Sequence, residues 1–142
     1  MIEVAIRRRR PAVSAASVRA AVSAVWAAEG EGEPGVAVTV LDDAAIRAVN
    51  AEWLDHDWAT DVISFSYAED PAPDGVRGEV LVSAETAERE AAARGRDARE
   101  ELLLYVAHGT LHLLGWEDDT PAQRRAMNSR ARVLLRRAGL TR

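Results

Sequence analysis

The chain contains no cysteine. Disulfide staples, thiolate zinc sites and cysteine nucleophiles are therefore excluded. It also contains no lysine, so all eighteen positive side chains are arginine. No uninterrupted apolar run is long enough to span a bilayer, and "MIEVAI" is followed by "RRRR" rather than by the apolar segment of a signal peptide. A cytoplasmic protein that does not meet the membrane is the expectation. There is no internal repeat.

What is there fits one globular domain over residues 1–142. Hydrophobic residues make up 48% and charged residues 29% of 142, enough to bury a core without staples. The net charge of −5 hides a segregation. Residues 1–28 carry five Arg and one Glu, residues 29–119 six Arg and 22 acids, and residues 120–142 seven Arg and no acid. Arginines so clustered can build a local positive field on an acidic protein, or serve as solvated helix faces.

Apolar periodicity gives the order β-α-β-α-β-β-α-α-α, an α+β domain with a small mixed sheet and packed helices. "IEVAIRR", "VAVTVL" (36–41), "DVISFSY" (61–67) and "GEVLVS" (78–83) read as strands. Val18, Val22 and Val25 mark a helix over 14–28, "DDAAIRAVNAEWL" (42–54) a second, and "AETAEREAAARG" a third ending at Gly95. "AEGEGEPG" (28–35) and "AEDPAPDG" (68–75) are loops. The fourth helix has Asp97 as cap, Glu100 placed to bond back to it, and Gly115 as its stop. It is apolar almost all round from Leu102 to Leu114, as a buried helix is. The last starts at Thr120 with Pro121 and Gln123 completing a capping box, and Gly139 stops it.

Residues 108–119 read "HGTLHLLGWEDD". His108 and His112 fall on one helix face, close enough for both imidazoles to reach one metal ion. An apolar helix makes partnerless imidazoles costly, and a metal offers both a partner. Gly115 ends the helix, letting a carboxylate return: Asp118, or its neighbours Glu117 and Asp119, can supply a third ligand. That leaves an open position for water, as in a hydrolytic rather than a structural site. Gly109 stands where an HExxH peptidase has its general base, which disfavours a peptidase. Glu101 and Tyr105 share the histidine stripe, but Glu101 is two turns away, roughly 10 Å of rise, too far to share the metal.

"HGTLHLLGWEDD" resembles the HGxLHLxGxDH signature of the YbeY family, bacterial metal-dependent endoribonucleases of rRNA maturation. "ATDVISF" (59–65) is similar to that family's TDVLSF strand, and "GEVLVS" to its GDIxIS strand, in the same order. The resemblance implies an α+β fold with a metal, zinc by preference, at the end of a cleft. His108, His112 and Asp118 would be the ligands, with His108 also the candidate catalytic residue. His56, Asp57, Thr60, Asp61 and Ser64 would line the cleft. Asp118 stands where the family usually has a third histidine, Glu79 where it has aspartate, and Leu54 where an arginine is common. The implied function is a single-strand-specific endoribonuclease acting on rRNA and ribosomal particles. Two alternatives are a non-catalytic ribosome-assembly factor with a structural metal, and a metal hydrolase of another substrate. Arg125, Arg132 and Arg136, on the side of the last helix opposite the stripe Met127, Ala131, Leu134 and Ala138, are the candidate RNA-phosphate contacts.

Overall fold

Five of the chain's polar residues start its helices, and each does so through its own side chain. Ser14, Asp42, Ser83, Asp97 and Thr120 accept hydrogen bonds from Ser17, Ala45, Thr86, Glu100 and Gln123 N–H groups, satisfying donors that the first turn leaves open. The computed structural model describes residues 1–67 and 75–142, so the loop expected over 68–75 lies, but for Gly75, outside the described residues. In chain order the elements are β1 (Ile2–Ile6), α1 (Ala15–Glu29), β2 (Val36–Leu41), α2 (Asp43–Leu54), β3 (Val62–Ser66), β4 (Gly78–Ser83), α3 (Ala84–Arg94), α4 (Ala98–Leu113) and α5 (Pro121–Arg137). This is the expected α+β order. "RRRR" follows β1 rather than belonging to it, although the Arg7 N–H still donates to Val40 O at 2.9 Å.

The sheet is mixed, in the order β1-β2-β4-β3. β1 and β2 are parallel, as are β2 and β4, while β3 is antiparallel to β4 at one edge. Parallel neighbours need a crossover, which α1 provides for the first pair and α2 with β3 for the second. Alternation then sorts the faces: Val36, Val38, Val40, Val80 and Val82 are buried toward the main core.

Helix α4 is the spine of that core. It packs against α1, α3, α5, β3 and β4, and residues 101–107 and 109–111 are all buried. Leu102, Leu103 and Leu111 lose all solvent contact, each worth about 1.5–3 kcal/mol relative to exposure. Gly109 lets the helix sit directly on the sheet. A Cβ there would lie 2.5 Å from Val80 Cγ1, 2.9 Å from Val62 Cγ2 and 3.0 Å from Ser64 Oγ. The Ser64 hydroxyl donates to Gly109 O at 2.9 Å, fixing the same contact with a hydrogen bond.

Two details differ from the sequence pattern. Glu100 Oε1 accepts from the Arg142 backbone N–H at 2.7 Å, because the chain's C-terminal end lies against the start of α4. On α5 the buried face is Met127, Ala131, Leu134 and Leu135. Ala138 is the exposed C-cap, since the helix has ended there.

Candidate metal centre

The site forms toward the C-terminal end of α4. Its last two turns carry His108 and His112, and Gly115, at φ 94°, turns the chain back. Few residues other than glycine adopt that conformation. The returning segment brings Asp118 Oδ2 to 3.2 Å from His112 Nε2 and 3.5 Å from His108 Nε2. All three candidate donor atoms lie within 4.8 Å of one another. Three donors at about 2.0–2.1 Å from a tetrahedral zinc are about 3.4 Å apart, so the two carboxylate–imidazole separations, 3.2 and 3.5 Å, bracket that spacing.

The chemistry of the donors also fits. His112 Nδ1 donates to Trp116 O at 3.1 Å, which leaves Nε2 with its lone pair toward Asp118. A carboxylate oxygen and an imidazole lone pair facing each other are two acceptors, and a cation satisfies both. A proton on the rings serves in a cation's stead: burial works against the Asp118 charge, but protonated His112 and His108 outweigh it and hold the carboxyl below its usual range. Of the three acids open to choice in the sequence, Asp118 is the one that reaches the imidazoles. Asp119 is exposed, and Glu117, also exposed, accepts from Gln123 Nε2 at 3.4 Å. His108 and His112 are part-buried rather than sealed in the core, and their rings meet edge to face at 5.1 Å.

The three residues stand in a cleft of ≈ 620 Å³ whose lining comes from four directions. Thr60, Asp61 and Val62 enter from the start of β3, and Thr86, Arg89 and Arg94 from α3. Glu101 and Tyr105 come from α4, and Arg124, Asn128 and Arg132 from α5. Burial, with the Glu101 and Asp61 charges, pushes the Tyr105 phenol up, so it keeps its proton. Glu101 is buried, with Arg96 at 3.8 Å. Burial and the neighbouring guanidinium of Arg96 hold Arg132 below its ordinary value, with Arg94 and Arg136 adding to that repulsion.

The other sequence candidates lie as follows. Ser64 is beneath α4, on Gly109, and borders a shallow depression shared with Leu54, Val62, His112 and Leu113. His56 and Asp57 are exposed outside the cleft lining, the first stacked on Trp58 and the second paired with Arg47 at 2.9 Å. Arg132 lines the cleft, Arg136 borders an adjoining groove of ≈ 270 Å³ with Arg96 and Arg132, and Arg125 is exposed away from both. Sequence reasoning missed Arg89, Arg94 and Arg124. Arg124, which donates to Asp118 O at 3.2 Å, had a signal in its place one turn after the capped start of α5. The other two had none, because only the packing of α3 beside α4 brings them here.

A family model described as endoribonuclease YbeY matches residues 5–139. This chain belongs to the YbeY family. A YbeY relative from Thermus thermophilus is 40% identical over 117 residues, 81% of this chain and 84% of the relative. Another, from Anaeromyxobacter dehalogenans, is 40% identical over 127 residues, 89% of this chain and 66% of that protein. A third, from Rhodopirellula baltica, is 47% identical over 111 residues, 77% of this chain and 56% of that protein. The chain thus spans about two thirds or less of the length of these last two relatives. The solution structure of TM1509 from Thermotoga maritima superposes with a TM-score of 0.64 over 96% of this chain and 91% of that one, at 21% identity, which shows a shared fold. In this member of the family, Glu79 belongs to the sheet face away from α4, where it accepts from the Tyr67 hydroxyl at 2.8 Å. No helix among the described residues is long and apolar enough to cross a membrane.

Proposed function

We propose that this chain, folded as one domain, is a metal-dependent endoribonuclease that cuts single-stranded regions of rRNA during ribosome maturation, in the cytoplasm and on ribosomal particles. The observation that carries the reading is the convergence of His108, His112 and Asp118 in a cleft walled by Arg89, Arg94, Arg124 and Arg132. His108, His112 and Asp118 would hold one divalent ion, zinc by the preference of two imidazoles and a carboxylate. When bound, it supplies Lewis acidity toward a phosphoryl oxygen and toward water. The rest is the work of the chain's own groups. Arg124 and Arg132 would hold phosphates by charge-assisted hydrogen bonds, while Arg89 and Arg94 are paired with Asp43 and Glu90. The Trp116 carbonyl holds the His112 ring in register, and the β3 entry at Thr60 and Asp61 closes the wall beside the scissile bond. His108, deeper than His112, is our candidate catalytic residue, and it would act by holding the ion rather than by touching the phosphate itself. Arg136, beside Arg132 in the adjoining groove, extends the phosphate track along α5, whereas Arg125 lies off it.

One observation favours a second reading, a non-catalytic assembly factor whose metal stabilises the fold. Leu54 stands beside His112 across a shallow depression, and brings no charge to it. Metal analysis of the purified protein, together with rRNA cleavage with and without chelator, separates the two. Stoichiometric metal with chelator-sensitive cleavage supports the nuclease. Metal with rRNA binding but no cleavage supports the assembly factor.

A further inference from the structure

The chain has four tryptophans, and two of them lie in water within six residues of each other. Trp53 is 67% and Trp58 57% exposed, with Leu54 between them at 43%. Exposed tryptophans are the apolar exposures that call for an explanation. The Trp58 ring already carries a partner: His56 stacks on it at a centroid distance of 4.5 Å and an interplanar angle of 11°.

The loop that presents this stack is built. Asn50, buried at 2% exposure, holds it at two points. Its carbonyl accepts the His56 N–H at 3.1 Å, and its Nδ2 donates to the Trp58 carbonyl at 2.9 Å. Asp57 between them pairs with Arg47 at 2.9 Å, and Asp55 turns the chain through a left-handed conformation at φ 58°. A pair of rings fixed in advance loses little entropy on accepting a third.

Position and charge say what the third ring belongs to. Directly after Trp58, Ala59–Val62 line the metal cleft, whose other walls carry Arg89, Arg94, Arg124 and Arg132. Arg89 is paired with Asp43 at 2.9 Å and Arg94 with Glu90 at 3.4 Å, so Arg124 and Arg132 are the cations a polynucleotide's phosphates would meet there first. The loop itself offers phosphates little, since Asp55 precedes its rings and Arg47, the cation beside it, is paired with Asp57. Its attraction is for flat apolar faces, and every base has one.

We infer that the His56–Trp58 stack is a platform on which unpaired bases of an RNA strand stack while its backbone follows the arginine wall. The inference rests on the RNA reading of the cleft. It assigns a specificity role to residues outside the cleft lining. Bases within a duplex have both faces covered, so the platform accepts only unpaired ones. His56 and Trp58 are positioning residues here, distant from the metal ligands in role.

The test compares Trp58→Ala and Trp58→Phe with wild type in fluorescence-anisotropy titrations. The probes are a short 2′-O-methyl oligouridine and an oligomer of equal length made of abasic sites. Both carry the same phosphates, and only the first carries bases. Trp58→Ala should weaken binding of the oligouridine by roughly 5- to 100-fold, the range for losing one stacked base, and leave the abasic oligomer unchanged. Trp58→Phe should restore most of the loss. If Trp58→Ala weakens both oligomers equally, or neither, the platform is refuted while the arginine reading stands. If wild type binds neither oligomer, the RNA reading falls and takes the platform with it. If sedimentation shows a wild-type dimer that Trp58→Ala turns into a monomer, the rings are a self-association surface and the proposal is overturned.

Discussion

Gly109→Ala sets two opposed effects against each other, and the structure decides which wins. In an isolated helix the change stabilises by about 1 kcal/mol, because alanine loses less backbone entropy than glycine. Here the new methyl would lie 2.5 Å from Val80 Cγ1, where carbon atoms prefer about 3.5–4.0 Å. Val80 has no exposed surface and is β-branched, so it cannot rotate away. Val62 and Ser64 close the other directions at 2.9 and 3.0 Å. Overpacking of this kind costs about 1–3 kcal/mol, and with three neighbours engaged the upper end applies. The net expectation is a loss of about 1–2 kcal/mol, read as a Tm lower by about 3–8 °C at this size. Urea and thermal unfolding of the metal-free protein measure it. The strain has a second readout. Lifting α4 from β4 moves His108 and His112 relative to Asp118, so zinc affinity should fall too. In a double-mutant cycle, Val80→Ala should cost less in the Gly109→Ala background than in wild type, because the added methyl fills space that valine vacated. A Gly109→Ala protein as stable as wild type, with unchanged zinc affinity, refutes the reasoning, since helix propensity would then outweigh the close approach.

Removing one ligand should reach further than loosening the helix. Asp118→Ala should lower zinc affinity in a competition titration by more than the roughly 10–100-fold typical of losing a supporting hydrogen bond. Asp118→His should keep binding within about an order of magnitude, and equal binding by Asp118→Ala would disprove the ligand set. On α5, Arg132 lines the cleft and Arg125 does not. Arg132→Gln should flatten the salt dependence of single-stranded RNA binding by about 0.7 in log–log slope, one phosphate's worth, and Arg125→Gln should leave it unchanged; equal effects contradict the placement. At Asp43, burial raises the carboxyl pKa, but hydrogen bonds from Ser83 and Thr86 and the charge of Arg89 win and lower it. A depressed folded-state pKa gives stability that is present above the unfolded value of about 3.9 and lost as pH falls through the folded one. Asp43→Asn should therefore cost about 1–2 kcal/mol at pH 7, and the gap to wild type should close below pH 4; a pH-independent gap contradicts the linkage.

Sequence periodicity carried the element order, because each helix has its own capping residue and each strand its own β-branched run. It could not carry the strand order, which depends on where α1 and α2 cross the sheet. His108 and His112 were legible because helical spacing alone puts them on one face. The choice of Asp118 over Glu117 and Asp119 was not legible in spacing. It depends on the Gly115 turn and on Trp116 engaging His112, and the family resemblance pointed to it instead. His56 and Asp57 are near Thr60 in sequence but outside the cleft lining, because the chain reverses at Asp55 and is held at Trp58 by Asn50. Arg89 and Arg94 show the converse: they are far from the histidines in sequence and reach the cleft through the seating of α3 on α4.

Because α4 is enclosed by protein along most of its length, substitutions can explore very little of it without disturbing the domain's foundation. Its reactive end is the exception, and even there Gly109 and the returning turn leave small tolerance. Novelty in this fold must therefore come from the surroundings: the α2–β3 loop, the outer face of α3 and the solvent side of α5. Diversification of specificity, natural or engineered, would redecorate those rims while leaving the reactive centre in place. A randomised library confined to the rims should yield folded variants far more often than one of equal size spread along α4.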